Sequence, residues 1–442
     1  MGTILFSEVN MKEIKLLTRV EGEGKIWIDI ENGTIRDVIL NIFEPPRFIE
    51  AVLRGQDYTV IPHITARICG ICPVAYQMSG LQAIEDAFRV SINSQIKELR
   101  KLFYYGEWIQ SHAIHVFFLH LPDFMGKGSI FEIGRENPEL LKSALKIKEA
   151  GSLIIEVIGG RVSHPVTPTT GGFTSYPRKE KLQNLLPALE EALEITVSLT
   201  ERFSRFDFTG AEFPDLHFVS LFKEDEYPIL DGDIISNKGL RLNRYEFDSI
   251  FLEYQSPHST AKKAKINGKE PYTVGPVSRF NNNFEKLSME ALNTSRRINL
   301  KPPVTDSSKS ILVRMVEIIH SLEQSIRLIK NYAPPDNQPV INPRRATGYG
   351  ISEAPRGILW HRYSFDSDGK ITEANIVPPT AQNQDAMELT VKKYLSESIP
   401  VTLEDAVNQA EKIVRNFDPC ISCATHFLKL DEGLKKFRLN QK

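Results

Sequence analysis

The residues of this chain whose type and spacing could do chemistry are four cysteines in two Cys-x-x-Cys pairs. Arg67-Ile-Cys69-Gly-Ile-Cys72-Pro73 lies near the start and Asp418-Pro-Cys420-Ile-Ser-Cys423-Ala-Thr-His426 near the end, with no cysteine between the pairs. Two intervening residues let both sulfurs of a pair reach one metal ion, or each other. Three chemistries fit that pattern. A structural four-cysteine zinc site is one, although zinc-ribbon pairs are usually separated by ~15–20 residues. A redox-active disulfide needs only one pair and a surrounding βαβ pattern, which is absent. A catalytic thiolate-bound transition metal is the third; soft sulfur donors suit nickel and iron as well as zinc, so spacing alone leaves the choice open.

Composition narrows the context. Over 442 residues, 54 Lys+Arg stand against 56 Asp+Glu, a net charge of −2, with 41% hydrophobic residues. That is a globular chain without the basic excess of a nucleic-acid binder. Four cysteines are too few for a disulfide scaffold of this size. Met1 to Asn10 lacks a basic region followed by an apolar run, so no signal peptide is expected. The longest apolar stretches, such as Ala113 to Pro122, are interrupted by histidine and fall far short of the ~20 residues of a membrane span. A reducing, cytoplasmic location without a membrane span is expected.

The elements that must position the cysteines read as follows. Lys25 to Ile42 alternates apolar and polar residues around Asn32-Gly33, as a β-hairpin does. Val74 to Leu121 predicts long helices broken near Ser91, and Glu139 to Ile158 and Lys179 to Phe203 continue the helical pattern. Between the last two lies a Gly/Pro/Thr-rich loop, Gly159 to Pro177. Phe213 to Thr273 is mixed, with short strand-like runs. Ser308 to Tyr332 predicts an amphipathic helix through Ile311, Met315, Ile318, Ile319 and Leu322. Ile358 to Ile376 predicts a hairpin around Asp366–Gly369, and two helices precede the last cysteines. The expected fold class is mainly α with small β elements (α+β). It would form a single domain over 1–442, β-rich at about 15–45, with a helical body and a C-terminal extension at 427–442.

The residues around the cysteines add a resemblance. RICGICP (67–73) and DPCISCATH (418–426) resemble the two signatures of the nickel–iron hydrogenase large subunit. Agreement extends to TRVEG (18–22), RFIEAVLRG (47–55), Gly159-Gly160 with His164-Pro165, YTVGPVSRFN (272–281), EAPRG (353–357) and IVPPTAQN (376–383), in the family's order along nearly the whole chain.

The resemblance implies the large-subunit fold and reversible, heterolytic cleavage of hydrogen to protons and electrons. It implies nickel held by Cys69, Cys72, Cys420 and Cys423, with Cys72 and Cys423 bridging to an iron that carries carbon monoxide and cyanide. Cys420 would be the first base and Glu21 the carboxyl that relays protons onward, a task suited to a buried group with a raised pKa. Arg356 would stand beside the diatomic ligands, with Pro355 and Asp418 lining the same pocket. Val377, Pro378 and Thr380 would wall the iron ligands. A magnesium ion, or iron, would lie between Glu50, the carbonyl of Asn375 or Ile376, and His426.

Two departures refine the type. Tyr76 stands where many relatives have a histidine, and Ser111 where some uptake-type members have an aspartate between two histidines. The CPVAYQ run (72–77) and terminal CATH (423–426) instead look like cytoplasmic, multisubunit, NAD(P)-linked or bidirectional members. The implied partners are an iron–sulfur small subunit, flavin/iron–sulfur diaphorase subunits, nickel-insertion factors, and a maturation protease that in many members removes the C-terminal extension. The chain has no credible GxGxxG motif after a strand, so a nicotinamide site belongs elsewhere. The alternatives are a non-catalytic or hydrogen-sensing subunit of the same fold, or a structural zinc-binding protein.

Overall fold

The alternation at Lys25 to Ile42 forms two strands, Gly24–Glu31 and Thr34–Ile42, and a third, Met11–Leu16, adds antiparallel to the first. Ile26, Ile28, Val38, Leu40 and Ile42 are buried, so one face of this sheet seals against the rest of the molecule. The structure, a computed structural model, describes residues 11–31, 34–335, 338–398 and 402–425. The Asn32-Gly33 turn, His426 and the expected extension at 427–442 lie outside them.

The helical body begins at the first cysteine pair. Pro73, which has no N–H to lose at a helix start, opens the helix Pro73–Phe88, with Cys72 as its N-cap. The break expected near Ser91 is real. Arg89 turns left-handed (φ 55°), and Asn93 caps the helix Ser94–Ala113 by accepting from Ile96 N at 2.8 Å. That helix does not run on as α to Leu121: Ile114–His120 is a π-helical turn, which buries His115 and His120 with ring centroids 5.1 Å apart. The helices Pro138–Gly159, Leu186–Phe203 and Ser310–Lys330 complete the bundle, the last burying its predicted apolar stripe. The segment read as one helix over Lys179 to Phe203 is two, Lys179–Gln183 and Leu186–Phe203, because Pro187 favours a new helix start over a helix interior.

The hairpin expected at Ile358 to Ile376 is Gly357–Phe365 and Ile371–Val377, but it belongs to a three-stranded sheet with Ala346–Ala354. That first strand has no clean alternation to reveal it, since much of it is buried on both faces. The helix Pro73–Phe88 lies directly on it: a Cβ at Gly350 would sit 1.9 Å from the Ser79 carbonyl oxygen, and one at Gly348 2.0 Å from that of Ala83. Ser79 Oγ and Ser352 Oγ then meet at 2.7 Å.

Two helices, Pro379–Ser398 and Leu403–Asn416, lead back to the N-terminal sheet, and the short helix Ile421–Ala424 follows. The architecture is mainly helical with small β-sheets, as the sequence predicts. A large core joins the helices to the N-terminal sheet, and a smaller one around Val219, Phe247, Ile351 and Trp360 joins the central strands. Among the described residues no helix is long and apolar enough to cross a membrane.

Candidate metal centre

Each cysteine pair sits at the start of a helix, one before it and the other running into it. A 3-10 turn, Ala66–Ile68, delivers Cys69 in extended conformation, and Cys72 ends the turn at the helix start. The amides of Ile71 and Cys72 point at Cys69 Sγ, at 3.4 and 3.1 Å. At the other end Asp418 turns left-handed (φ 57°) and Cys420 caps the short helix. Cys69 Sγ lies 3.6 Å from Cys420 Sγ, and one sulfur from each of the four cysteines falls within a 4.8 Å group, all buried. Cys69 and Cys72 are free thiols, whereas Cys420 and Cys423 are joined as a disulfide with Cα atoms 5.4 Å apart. Holding a metal ion requires that pair in its reduced, thiolate form.

The N-terminal segment is stitched to the second pair. Glu21 pairs with Cys420 as a β-bridge, its carbonyl accepts from Ile421 N at 2.9 Å, and its carboxylate accepts from Ser422 N at 3.1 Å. Glu21 is half-buried rather than the fully buried carboxyl expected of a relay. Gly22 (φ 86°) leaves no room for a side chain, since a Cβ there would lie 2.7 Å from Glu44 Oε2 and 2.9 Å from Ser422 N.

Three residues without an assigned role in the sequence reading bear on the geometry. Arg47 donates to the carbonyls of Arg67 (3.2 Å), Ile68 (2.7 Å) and Ser422, one guanidinium gripping both cysteine loops. It lies within a motif that signalled the family but not this contact. Glu107 accepts from Val74 N (2.6 Å) and Ala75 N (3.0 Å), filling the orphan donors at the start of the helix after Cys72. Burial pushes its carboxyl well up, helped by the Cys69 charge. Arg279 grips the Glu353–Pro355 segment by a carboxylate oxygen and two carbonyls.

Arg356 lies at the turn between two strands. Its Nε donates to the Asp418 carbonyl oxygen at 2.8 Å and its Nη2 to Asp418 Oδ1 at 3.0 Å. Burial raises the Cys69 thiol, but the hydrogen bond with Cys72 and the charge of Arg356 hold it below the ordinary value; burial pushes Cys72 well above. Burial also raises Asp418 despite Arg356 and Arg314. Arg356 Nη1 and Asp418 Oδ2 are buried with no hydrogen-bond partner. Thr380 Oγ1 accepts from Cys420 N at 2.9 Å, and Pro355, Val377 and Pro378 are buried beside these loops in sequence. Four soft donors and a spare buried guanidinium N–H fit a thiolate-held nickel–iron centre with polar or anionic outer ligands.

Glu50 is buried and accepts from Ile376 N at 2.7 Å, next to Asn375 in the same strand. Burial pushes its pKa up to about 8, with Lys262 opposing. A buried carboxyl so raised fits a cation beside it, though His426 falls outside the described residues. Tyr76 is buried one turn after Cys72 with its ring 5.8 Å from that of His361, and Ser111 is buried next to His112.

Comparison with known proteins supplies the lineage. The model of the nickel-dependent hydrogenases matches residues 47–143 and 270–426. Sulfhydrogenase 2 subunit alpha of Pyrococcus furiosus is 34% identical, over 95% of this chain and 99% of that one. NAD-reducing hydrogenase HoxS subunit beta of Cupriavidus necator is 26% identical, over 93% of this chain and 94% of its own length. The crystal structure of an NAD+-reducing [NiFe]-hydrogenase in its H2-reduced state superposes with a TM-score of 0.84 at 26% identity, covering 95% of this chain and all of that one. The Ni-Fe-Se hydrogenase of D. vulgaris Hildenborough shares the fold at a TM-score of 0.77 and 21% identity. With a family match over more than half its length and relatives aligned nearly end to end, the chain belongs to the nickel-dependent hydrogenase family, oxidoreductases acting on hydrogen.

Proposed function

We propose that this chain is the catalytic large subunit of a cytoplasmic, multisubunit hydrogenase, folded as one domain and cleaving H2 heterolytically and reversibly. The convergence of four buried sulfurs from opposite ends of the chain carries the proposal. Cys69, Cys72, Cys420 and Cys423 would hold nickel, and Cys72 and Cys423 would also serve iron. When bound, this centre supplies the two-electron acceptor for H–H cleavage.

The protein's own residues supply the rest. Cys420, in its thiolate form, takes the proton, and Glu21, bridged to it through the backbone, receives that proton and passes it outward. Arg356 Nη1, left unpaired beside its bonds to Asp418, would donate to cyanide on the iron, and Pro355, Val377 and Pro378 would keep water from the diatomic ligands. Thr380 fixes the backbone of Cys420. Glu50, with the Asn375 or Ile376 carbonyl and His426, would hold magnesium.

All four cysteines are consumed by this centre, so electrons leave through an iron–sulfur small subunit. The NAD-reducing relatives support NAD(P) as the final acceptor, reached in this reading through flavin/iron–sulfur diaphorase subunits. Nickel-insertion factors and a maturation protease complete the expected partners. The test is metal analysis with H2-dependent dye reduction by the purified complex. About one nickel and one iron per chain with turnover are expected. Full loading without turnover sinks the enzyme, and zinc alone sinks the centre.

A further inference from the structure

Two buried arginines stand on either side of the Pro355-Arg356 turn, and they use their donors in opposite ways. A guanidinium carries five N–H donors. In Arg279 all five are consumed: Nε and Nη2 to Glu317 (2.8 Å each), Nη1 to Glu353 Oε2 and to the Ala354 carbonyl (2.9 Å each), and Nη2 to the Pro355 carbonyl (2.9 Å). Arg356 has two hydrogen bonds, both to Asp418, and a spare Nη1.

The turn is fixed from outside at successive peptides. Trp108 Nε1 donates to the Glu353 carbonyl at 2.9 Å, and the Trp108 ring lies 4.4 Å from the Arg279 guanidinium. Arg279 takes the next two carbonyls. Gly275 packs so close to the fourth that a Cβ would lie 2.7 Å from the Arg356 oxygen. Arg279 is itself immobilised: Glu317 also accepts from Tyr227 OH (2.8 Å) and meets His112 Nε2 (2.8 Å), with Arg279, Glu317 and Glu353 wholly buried.

We propose that Arg279 is the positioning residue for Arg356: by clamping the Ala354 and Pro355 carbonyls it sets the angle at which the spare Arg356 N–H faces the metal centre. A lysine has three donors radiating from a point and cannot hold two carboxylates and two carbonyls in one plane. The proposal rests on the assignment of Arg356 to the iron's ligands.

A double-mutant cycle on the purified complex tests it, with nickel per chain and the infrared bands of the diatomic ligands measured beside turnover. Arg279→Lys is expected to lower kcat about tenfold with Arg356 present but less than about twofold in the Arg356→Lys background, because both act through one group. Its infrared bands should move in the same direction as those of Arg356→Lys. An equal fold-loss in both backgrounds, or unmoved bands, overturns the proposal while leaving the role of Arg356 intact. A neutral Arg356→Lys instead removes the role of Arg356, and the proposal with it. If Arg279→Lys accumulates without nickel, Trp108→Phe decides. It leaves an aromatic ring at the position and removes the indole N–H that donates to the Glu353 carbonyl. It should lower kcat about threefold, again only with Arg356 present, and a neutral outcome refutes the clamp.

Discussion

Arg356 and Asp418 meet twice, through a main-chain carbonyl at 2.8 Å and a carboxylate oxygen at 3.0 Å. The double contact ties a strand turn to the loop carrying the second cysteine pair, and it leaves one guanidinium nitrogen and one carboxylate oxygen buried without a partner. An enzyme that must aim a charge at a small ligand gains from such an arrangement: the arginine is immobilised through some N–H groups and presents another.

Arg47 joins the two cysteine loops through carbonyls on either side of the cluster. Arg47→Lys cannot span them with a single ammonium group. Losing charged hydrogen bonds worth ~1.5–3 kcal/mol each should weaken nickel retention roughly tenfold or more. Nickel content after dialysis against a chelator measures this, and wild-type retention would refute the bridging role.

Glu21→Gln keeps an oxygen for the Ser422 amide but cannot carry a proton. Hydrogen turnover should fall about 100-fold, the usual scale of a lost acid–base group, with nickel content intact. Unchanged turnover would reject Glu21 as the relay.

Gly350→Ala places a methyl group against the Ser79 carbonyl at a distance no helix can accept. The helix bearing Cys72 must move off the strand, at a cost of about 1–3 kcal/mol. Thermal melting of the metal-free chain should show the loss, and an unchanged melting temperature would show that the two backbones are not this close.

His320 accepts from Ser288 N at 3.0 Å and is buried against Tyr227, so burial lowers its pKa to about 4. The unfolded chain, with an ordinary histidine near 6.5, binds the proton more readily. Stability from this site is therefore complete above about pH 6.5 and is lost as the pH falls toward 4, by at most about 3 kcal/mol. Urea midpoints of the metal-free chain at pH 4.5, 5.5 and 7 should fall on acidification, less steeply in His320→Gln. Parallel slopes would assign the acid sensitivity to other groups.

Much of the scaffold was legible because it follows local rules: Pro73 and Asn93 mark helix starts, and the apolar stripe of Ser310–Lys330 is periodic. Ala346–Ala354 was hidden because glycines and burial on both faces erase alternation. The site divides along similar lines. Motif resemblance reached Cys69, Cys420 and Arg356. No local pattern reveals that Glu107 will cap the helix after Cys72, or that the Arg47 guanidinium will meet a carbonyl 375 residues away. Such partnerships exist only once distant segments have packed.

The long separation of the cysteine pairs has a consequence in time as well as space. During synthesis the ribosome makes Cys69 and Cys72 early, just ahead of the helix that Cys72 caps, but the full set of sulfurs does not exist until residue 423 has been added. A metal captured by the nascent chain would therefore meet two donors, a weaker and less selective site than the finished four. All four sulfurs are available together only once translation has passed the last cysteine, and in the folded chain that late segment lies beside Glu21.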